Sequence, residues 1–263
     1  MSLPLVQISD ISKSFGDTHA LAPTSLDIGE GGEFVSLVGP SGCGKSTLLH
    51  IVGGLVAPSA GTVSISGEPL RGPRDDTSIV FQESTALPWR TVQRNAEFAL
   101  ESKGVAKKER QRRALELIDL VGLRGFERHY PGQLSGGMRH RIDLARALST
   151  EPDLLLADEP FGALDEQTRL ALGFELLRVI STTNCSVIFV THSIVESVIL
   201  SDRVLVMSAR PGRIIDDIRV EIPRPRTPEI VGSPEVGRLV DRIWGQLRTE
   251  SDKNMRIGRG TAA

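Results

Sequence analysis

Gly39 to Thr47 reads G-P-S-G-C-G-K-S-T and meets the spacing G-x-x-x-x-G-K-[ST] at every position. Before it, Phe34 to Gly39 (F-V-S-L-V-G) is a short apolar run of the kind that makes a buried strand. After it, Lys45 to Val56 carries a helical pattern. Strand, glycine-rich turn and helix in that order confine the chain to an α/β architecture whose loop cradles phosphate. Gly39, Gly42 and Gly44 let the loop that runs through Pro40, Ser41 and Cys43 turn its available N–H groups inward, Pro40 having none. The helix start adds partial positive charge. Lys45 is the candidate for the β- and γ-phosphates and Ser46 for Mg²⁺, with Thr47 completing the motif. An incidental glycine-rich turn would not need the strand and the helix on either side.

Cys43 lies inside this loop. The helix end and Lys45 both favour a thiolate there, so a lowered pKa and reagent sensitivity are expected. A side chain shielded against the core would instead be inert.

Leu154 to Pro160 (L-L-L-A-D-E-P) is an apolar strand ending in two acids. Acids at the carboxyl end of a parallel strand face the crevice where ligands bind. Asp158 is the candidate Mg²⁺ holder, and Glu159, one residue on, the candidate general base for an attacking water. His192 follows the apolar run Ser186 to Thr191, again at a carboxyl end, where an imidazole can donate to a γ-phosphate and orient that water. His19, His50, His129 and His140 have no such placement and read as structural.

Thr62 to Gly67 alternates apolar and polar, as half-exposed antiparallel strands do. Residues from about Gln93 to Ser149 are mostly helical and rich in charge, an apparent insertion in the α/β core. Lys107 to Arg113 within it reads as a solvated helix face. Pro223 to Pro228 breaks regular structure. Beyond it Val236, Leu239, Val240, Ile243, Trp244 and Leu247 recur at helical spacing, an amphipathic helix for the domain or a partner. Residues after about Asp252 are expected to fray.

The net charge of −2 gives no argument for nucleic acid. Two cysteines do not suggest a disulfide framework and fit a reducing compartment. Met1 to Asp10 lacks a basic flank and a long apolar run, so no secretory signal is expected. No apolar stretch reaches the roughly 18 residues a membrane helix needs, so work at a membrane would require docking on another subunit.

Leu134 to Arg139 (L-S-G-G-M-R) places Ser135, Gly136 and Gly137 at a second helix start able to hold an anion. With two such starts in one chain, the sequence resembles the ABC ATPase family over nearly all of residues 5 to 222. The cradle matches, as does L-L-L-A-D-E-P. Leu134 to Met138 matches the family signature, with Met138 in place of a glutamine. Gln82, in I-V-F-Q-E, matches the glutamine loop, which in the family senses the γ-phosphate and Mg²⁺ and touches the permease. Ala163-Leu164-Asp165 matches the loop that crosses the dimer, and His192 the switch histidine. Phe15, in S-K-S-F-G, stands where an aromatic ring stacks on adenine.

The resemblance implies a P-loop NTPase core with a mainly parallel sheet, an antiparallel β subdomain and an inserted helical subdomain. It gives an ATPase domain over 1–222, with helices at about 93–149 inserted, and a C-terminal appendage over 223–263. It implies ATP and Mg²⁺ as cofactors and a head-to-tail dimer, each ATP lying between Lys45 of one subunit and Ser135 of the other. It also implies integral-membrane permease partners, no nucleic acid, and a peripheral position at the cytoplasmic face of the membrane.

Leu87 to Val92 (L-P-W-R-T-V), Ser208 to Ile214 (S-A-R-P-G-R-I) and Met138 together look like the importer group for nitrate, sulfonate and taurine, which draws its anion from a solute-binding protein. Trp89 reads as either core or permease contact. Ser193, His140 and Asp143 depart from the family pattern and leave the subgroup and partner interface open. The alternatives are an ABC ATPase acting on nucleic acid or the ribosome, and a regulator without turnover. The first usually carries a long coiled-coil insertion or two fused ATPase domains; the second would not need Glu159 and His192.

Overall fold

Continuous apolar runs become strands with every residue buried: β3 (Phe34–Val38), β7 (Leu154–Asp158) and β8 (Ser186–Val190). Such runs fit strands covered on both faces, as parallel sheets are. A computed structural model describes residues 4–29 and 31–260, with side chains through Glu250. The fold is α/β. The chain divides into two compact units, one of Met1–Arg74 with Ser186–Ala263, the other of Asp75–Cys185.

In the first unit, β3 pairs in parallel with β8 on one side and β9 (Arg203–Met207) on the other, and β10 (Ile214–Arg219) runs antiparallel on β9. A separate antiparallel sheet has the order β2 (Thr18–Ile28), β1 (Val6–Phe15), β4 (Ala60–Ile65), β5 (Glu68–Pro69). The β1–β2 hairpin closes through Gly16 and Asp17, Phe15 facing Thr18. Gly16 takes φ +55°, which a two-residue hairpin turn demands of its first central position.

Helix α1 (Lys45–Val52) is shorter than the Lys45 to Val56 pattern suggests. Gly53 and Gly54 end it, and Gly54 sits at φ +70° against the backbone of Gly72, where a Cβ would be 2.3 Å from the carbonyl carbon.

The second unit holds the parallel pair β6 (Thr77–Val80) and β7. Its helices are α2 (Val92–Ala96), α3 (Phe98–Ser102), α4 (Lys107–Leu120), α5 (Gly136–Leu148) and α6 (Glu166–Thr183). Helix α4 buries Ala114 and Ile118, while Arg112 and Arg113 pair with Glu109 and Arg112 also with Glu116. Those ion pairs are exposed and contribute only tenths of a kcal/mol each.

The first unit ends in α7 (Ile194–Leu200) and α8 (Pro234–Gly260). Val236 and Ile243 are buried as the periodicity predicts. Trp244 is not: it is 61% exposed, one position round the helix from Ile243. The helix also continues to Gly260, past the point where fraying is expected. Among the described residues no helix is long and apolar enough to cross a membrane.

Candidate functional site

The cradle is built by a change of backbone hand. Gly42 takes φ +73° and Gly44 φ +106°, conformations costly for any residue with a Cβ. At Gly44 the space is closed too: a Cβ would meet Leu21 Cδ2 at 2.7 Å. Gly44 then caps α1 without a side-chain hydrogen bond, and no acid stands in the helix's first turn. The leading N–H groups of α1 thus remain for an anion. Lys45 is buried, its Nζ donating to the carbonyls of Gly39 (2.9 Å) and Pro40 (3.1 Å). Phosphate oxygens are stronger partners for an ammonium than neutral carbonyls. Ser46 and Thr47 are half-buried on the first turn; Pro40 is half-buried and Ser41 exposed.

Cys43 departs from the expected thiolate. It is 1% exposed, and burial pushes its thiol pKa up. Lys45 and the loop's N–H groups pull the other way but less strongly. The sulfur packs beside Gly39, where an added Cβ would lie 2.9 Å from Sγ. Cys185 is also buried, its pKa pushed up to about 12 by burial. A maleimide at pH 7.5 should therefore leave ATP hydrolysis unchanged and add no mass to the native chain, while denaturant exposes both thiols. Rapid native labelling of Cys43 would contradict this packing.

The acidic strand end is equally specific. Asp158 is 2% exposed, and its Oδ1 is buried with no hydrogen-bond partner. A buried carboxylate oxygen left alone is costly, and a hard cation relieves that cost. Among the described residues no three His, Cys, Asp or Glu side chains gather to cage a metal by themselves, so a cation here would share its shell with phosphate or water, as Mg²⁺ does. Glu159 follows at φ +48°, a strained value for a non-glycine residue. Its carbonyl accepts from Gly162 N at 3.0 Å, turning the chain sharply off the strand.

At the Leu134–Arg139 turn, Ser135 is the N-cap of α5, its Oγ accepting from Met138 N at 3.3 Å. Gly136 is half-buried. Gly137 packs on the Ala163–Asp165 loop, where a Cβ would sit 2.2 Å from Leu164 Cδ2. The structure thus brings the signature turn and that loop together. Asp165 caps α6, its Oδ1 accepting from Thr168 N at 3.0 Å, and this bond lowers its pKa. Within the protomer one carboxylate oxygen is already engaged.

Gln82 lies exposed just beyond β6. The segment after it is clamped twice. Asp143 Oδ2 accepts from Thr85 N at 3.1 Å and Oδ1 from the Thr85 hydroxyl at 3.3 Å; Arg146 bridges Asp143 Oδ1 (3.0 Å) and Thr85 O (2.9 Å). The wholly buried Asn95 accepts from Leu87 N (2.7 Å) and donates to the carbonyls of Leu87, Arg90 and Thr91. Trp89, between the clamps, is 71% exposed, which excludes the core reading. Asp143 is an unexpected acid in the sequence; its partner, 58 residues away, was not legible there.

His192 is exposed in a turn fixed on both sides. Thr191 Oγ1 donates to the buried Glu196 and accepts from Ser193 N at 3.0 Å; Ser193 Oγ caps α7 by accepting from Glu196 N at 3.3 Å. Serine and aspartate are comparable N-caps, so Ser193 in place of aspartate preserves the turn. His140 is half-buried and burial lowers its pKa, so it stays neutral near pH 7. Phe15 ends β1 with its ring half exposed and Lys13 Nζ 4.9 Å from the ring centroid.

The ABC transporter family profile matches residues 21–162. An uncharacterized ABC transporter ATP-binding protein of Methanocaldococcus jannaschii is 50% identical over 84% of both chains. The nitrate import ATP-binding protein NrtD of Synechocystis is 41% identical over 92% of this chain and 95% of its own. The taurine import ATP-binding protein TauB of Rhizobium johnstonii is 44% identical over 89% and 91%. Among solved structures, a dimeric ATP-binding cassette in a post-hydrolysis state with ADP and Pi superposes with a TM-score of 0.75 at 33% identity, over 82% of this chain and 99% of that one. A family profile over more than half of the chain and relatives matched along their length place the chain in the ABC transporter family, as one of its ATPase subunits.

Proposed function

We propose that the chain is the motor of an importer for a small anion of the nitrate, sulfonate or taurine kind. It works at the cytoplasmic face of the membrane, in a head-to-tail pair of ATPase subunits on a separate permease fed by a solute-binding protein. Asp158 carries the catalytic part of the reading: an unpartnered buried oxygen costs about 1–3 kcal/mol or more, and a metal–nucleotide complex at that strand end removes the cost. The importer part is supported by the nitrate and taurine relatives and by the Leu87–Val92 and Ser208–Ile214 segments.

In this reading Phe15 stacks on adenine, the 39–47 backbone cradles the phosphates, and Lys45 meets the β- and γ-phosphates. Ser46, Asp158 and Gln82 are the residues that would hold Mg²⁺, whose charge would offset that of the phosphates. Water attacks the γ-phosphorus as its bond to the β–γ bridging oxygen breaks and ADP leaves; Glu159 takes the water's proton, and His192 donates a hydrogen bond to a γ-phosphate oxygen. Ser135, Gly136 and Gly137 bind the nucleotide of the other subunit, beside the loop carrying Asp165. ATP thereby holds the pair closed, and hydrolysis releases it.

Uptake of labelled nitrate and of labelled taurine, in cells with and without this chain, tests the reading. Loss of either on removal supports it; unchanged uptake with nucleic acid co-purifying would move the chain to a non-transport role. Trp89 is the side chain offered to the permease, since exposed tryptophans make strong anchors. Trp89→Ala should reduce co-purification of the membrane subunits by about ten-fold or more, with the isolated subunit's thermal midpoint unchanged. Full recovery of the complex would remove Trp89 from the interface.

A further inference from the structure

Behind the cradle lies a loop that no nucleotide motif includes. Ser208 to Arg213 leaves β9 and returns as β10. It is closed on itself: Ser208 N donates to Arg213 O at 2.9 Å, and Arg213 N to Ser208 Oγ at 3.1 Å. It is anchored to β2 by Gly212 N to Ala20 O (3.0 Å) and Ala22 N to Gly212 O (2.9 Å). From α8 the buried Glu250 accepts from Ala209 N at 3.3 Å.

This loop grips two successive carbonyls of the cradle. Arg210 Nε donates to Gly42 O at 3.1 Å. Gly212 lies against Cys43 O so closely that a Cβ on it would be 1.8 Å from that oxygen. In a trans peptide the C=O of one residue and the N–H of the next point opposite ways. Holding the Gly42 and Cys43 carbonyls toward the loop therefore turns the N–H groups of Cys43 and Gly44 away from it. Successive, like-turned N–H groups make an anion-binding nest; the Cys43 N–H donates to Pro40 O at 3.3 Å, a long bond to a neutral acceptor that a phosphate oxygen would outcompete.

We infer that the Ser208–Arg213 loop is the outer brace of the phosphate cradle, with Arg210 a positioning residue for nucleotide binding through the Gly42 carbonyl. This rests on the cradle being the ATP site. The brace sets the shape of the cradle before nucleotide arrives, so its loss weakens binding and leaves the hydrolytic groups alone.

The test uses the full chain with ATP and a fluorescent ADP analogue. Arg210 is exposed, so Arg210→Ala should fold with an unchanged thermal midpoint without nucleotide. Its KM for ATP and Kd for the ADP analogue should rise about five-fold or more, the loss of one charge-assisted hydrogen bond, with kcat within about two-fold of wild type. Gly212→Ala should weaken ADP binding further, since its methyl group displaces the Cys43 carbonyl. KM and Kd unchanged in Arg210→Ala would overturn the proposal, as would KM, kcat and thermal midpoint all worsening together. If Lys45→Ala keeps full ADP affinity, it is instead the cradle assignment that fails.

Discussion

Replacing Glu159 with glutamine should keep ATP binding and cut turnover by about 10² to 10⁴, the usual contribution of a positioned general base. Glutamine has the same shape and suits the φ of +48° no worse than glutamate, so the sharp turn to Gly162 should survive. Only the proton acceptor is lost. ATP then persists between the two subunits, and size-exclusion runs with ATP should show more dimer than wild type. Phosphate release at saturating ATP checks the first effect. Normal turnover in this variant would strip Glu159 of its role.

Ser135→Arg should abolish ATP-dependent dimerisation in a chain that still binds nucleotide at its own cradle. The side chain is exposed at the head of α5 and is the helix's cap. Losing the cap costs about 1 kcal/mol, which the thermal midpoint of the monomer reports separately. The damage from bulk and charge lies across the dimer. A Ser135→Arg subunit mixed with a Lys45→Ala subunit should therefore recover dimer, because one composite site per mixed pair keeps both halves intact. Neither variant alone has such a site. Dimerisation untouched by Ser135→Arg would exclude the head-to-tail arrangement.

Much of this was legible because it rests on local rules. The apolar runs Phe34 to Gly39, Leu154 to Pro160 and Ser186 to Thr191 read as strands, and β3, β7 and β8 within them are buried at every position. Gly42 and Gly44 take positive φ, as a tight glycine-rich turn between strand and helix requires. What escaped is what distant residues decide. At Cys43 the neighbours in sequence favour a thiolate, yet packing beside Gly39 and the adjoining strand removes water and wins. For Trp89, no property of L-P-W-R-T-V distinguishes core from surface. Asp143 looked like an anomaly in a helix; it is satisfied by Thr85 and Arg146 once the chain folds. Period alone put Trp244 on the apolar face of α8, but the stripe that packs is narrower and runs through Val236 and Ile243. The brace on the cradle was beyond reach as well: Arg210 and Gly42 are 168 residues apart.

The double clamp on residues 85–91 has a thermodynamic consequence. The amides of Thr85 and Leu87 are already committed to a buried carboxylate and a buried carboxamide. Immobilising a side chain or loop on association commonly costs about 0.5–1.5 kcal/mol per rotamer-rich group. Here the backbone beneath Trp89 gives up that freedom during folding, not during docking. A partner that covers the ring gains its apolar contact with little entropic loss from the segment that carries it.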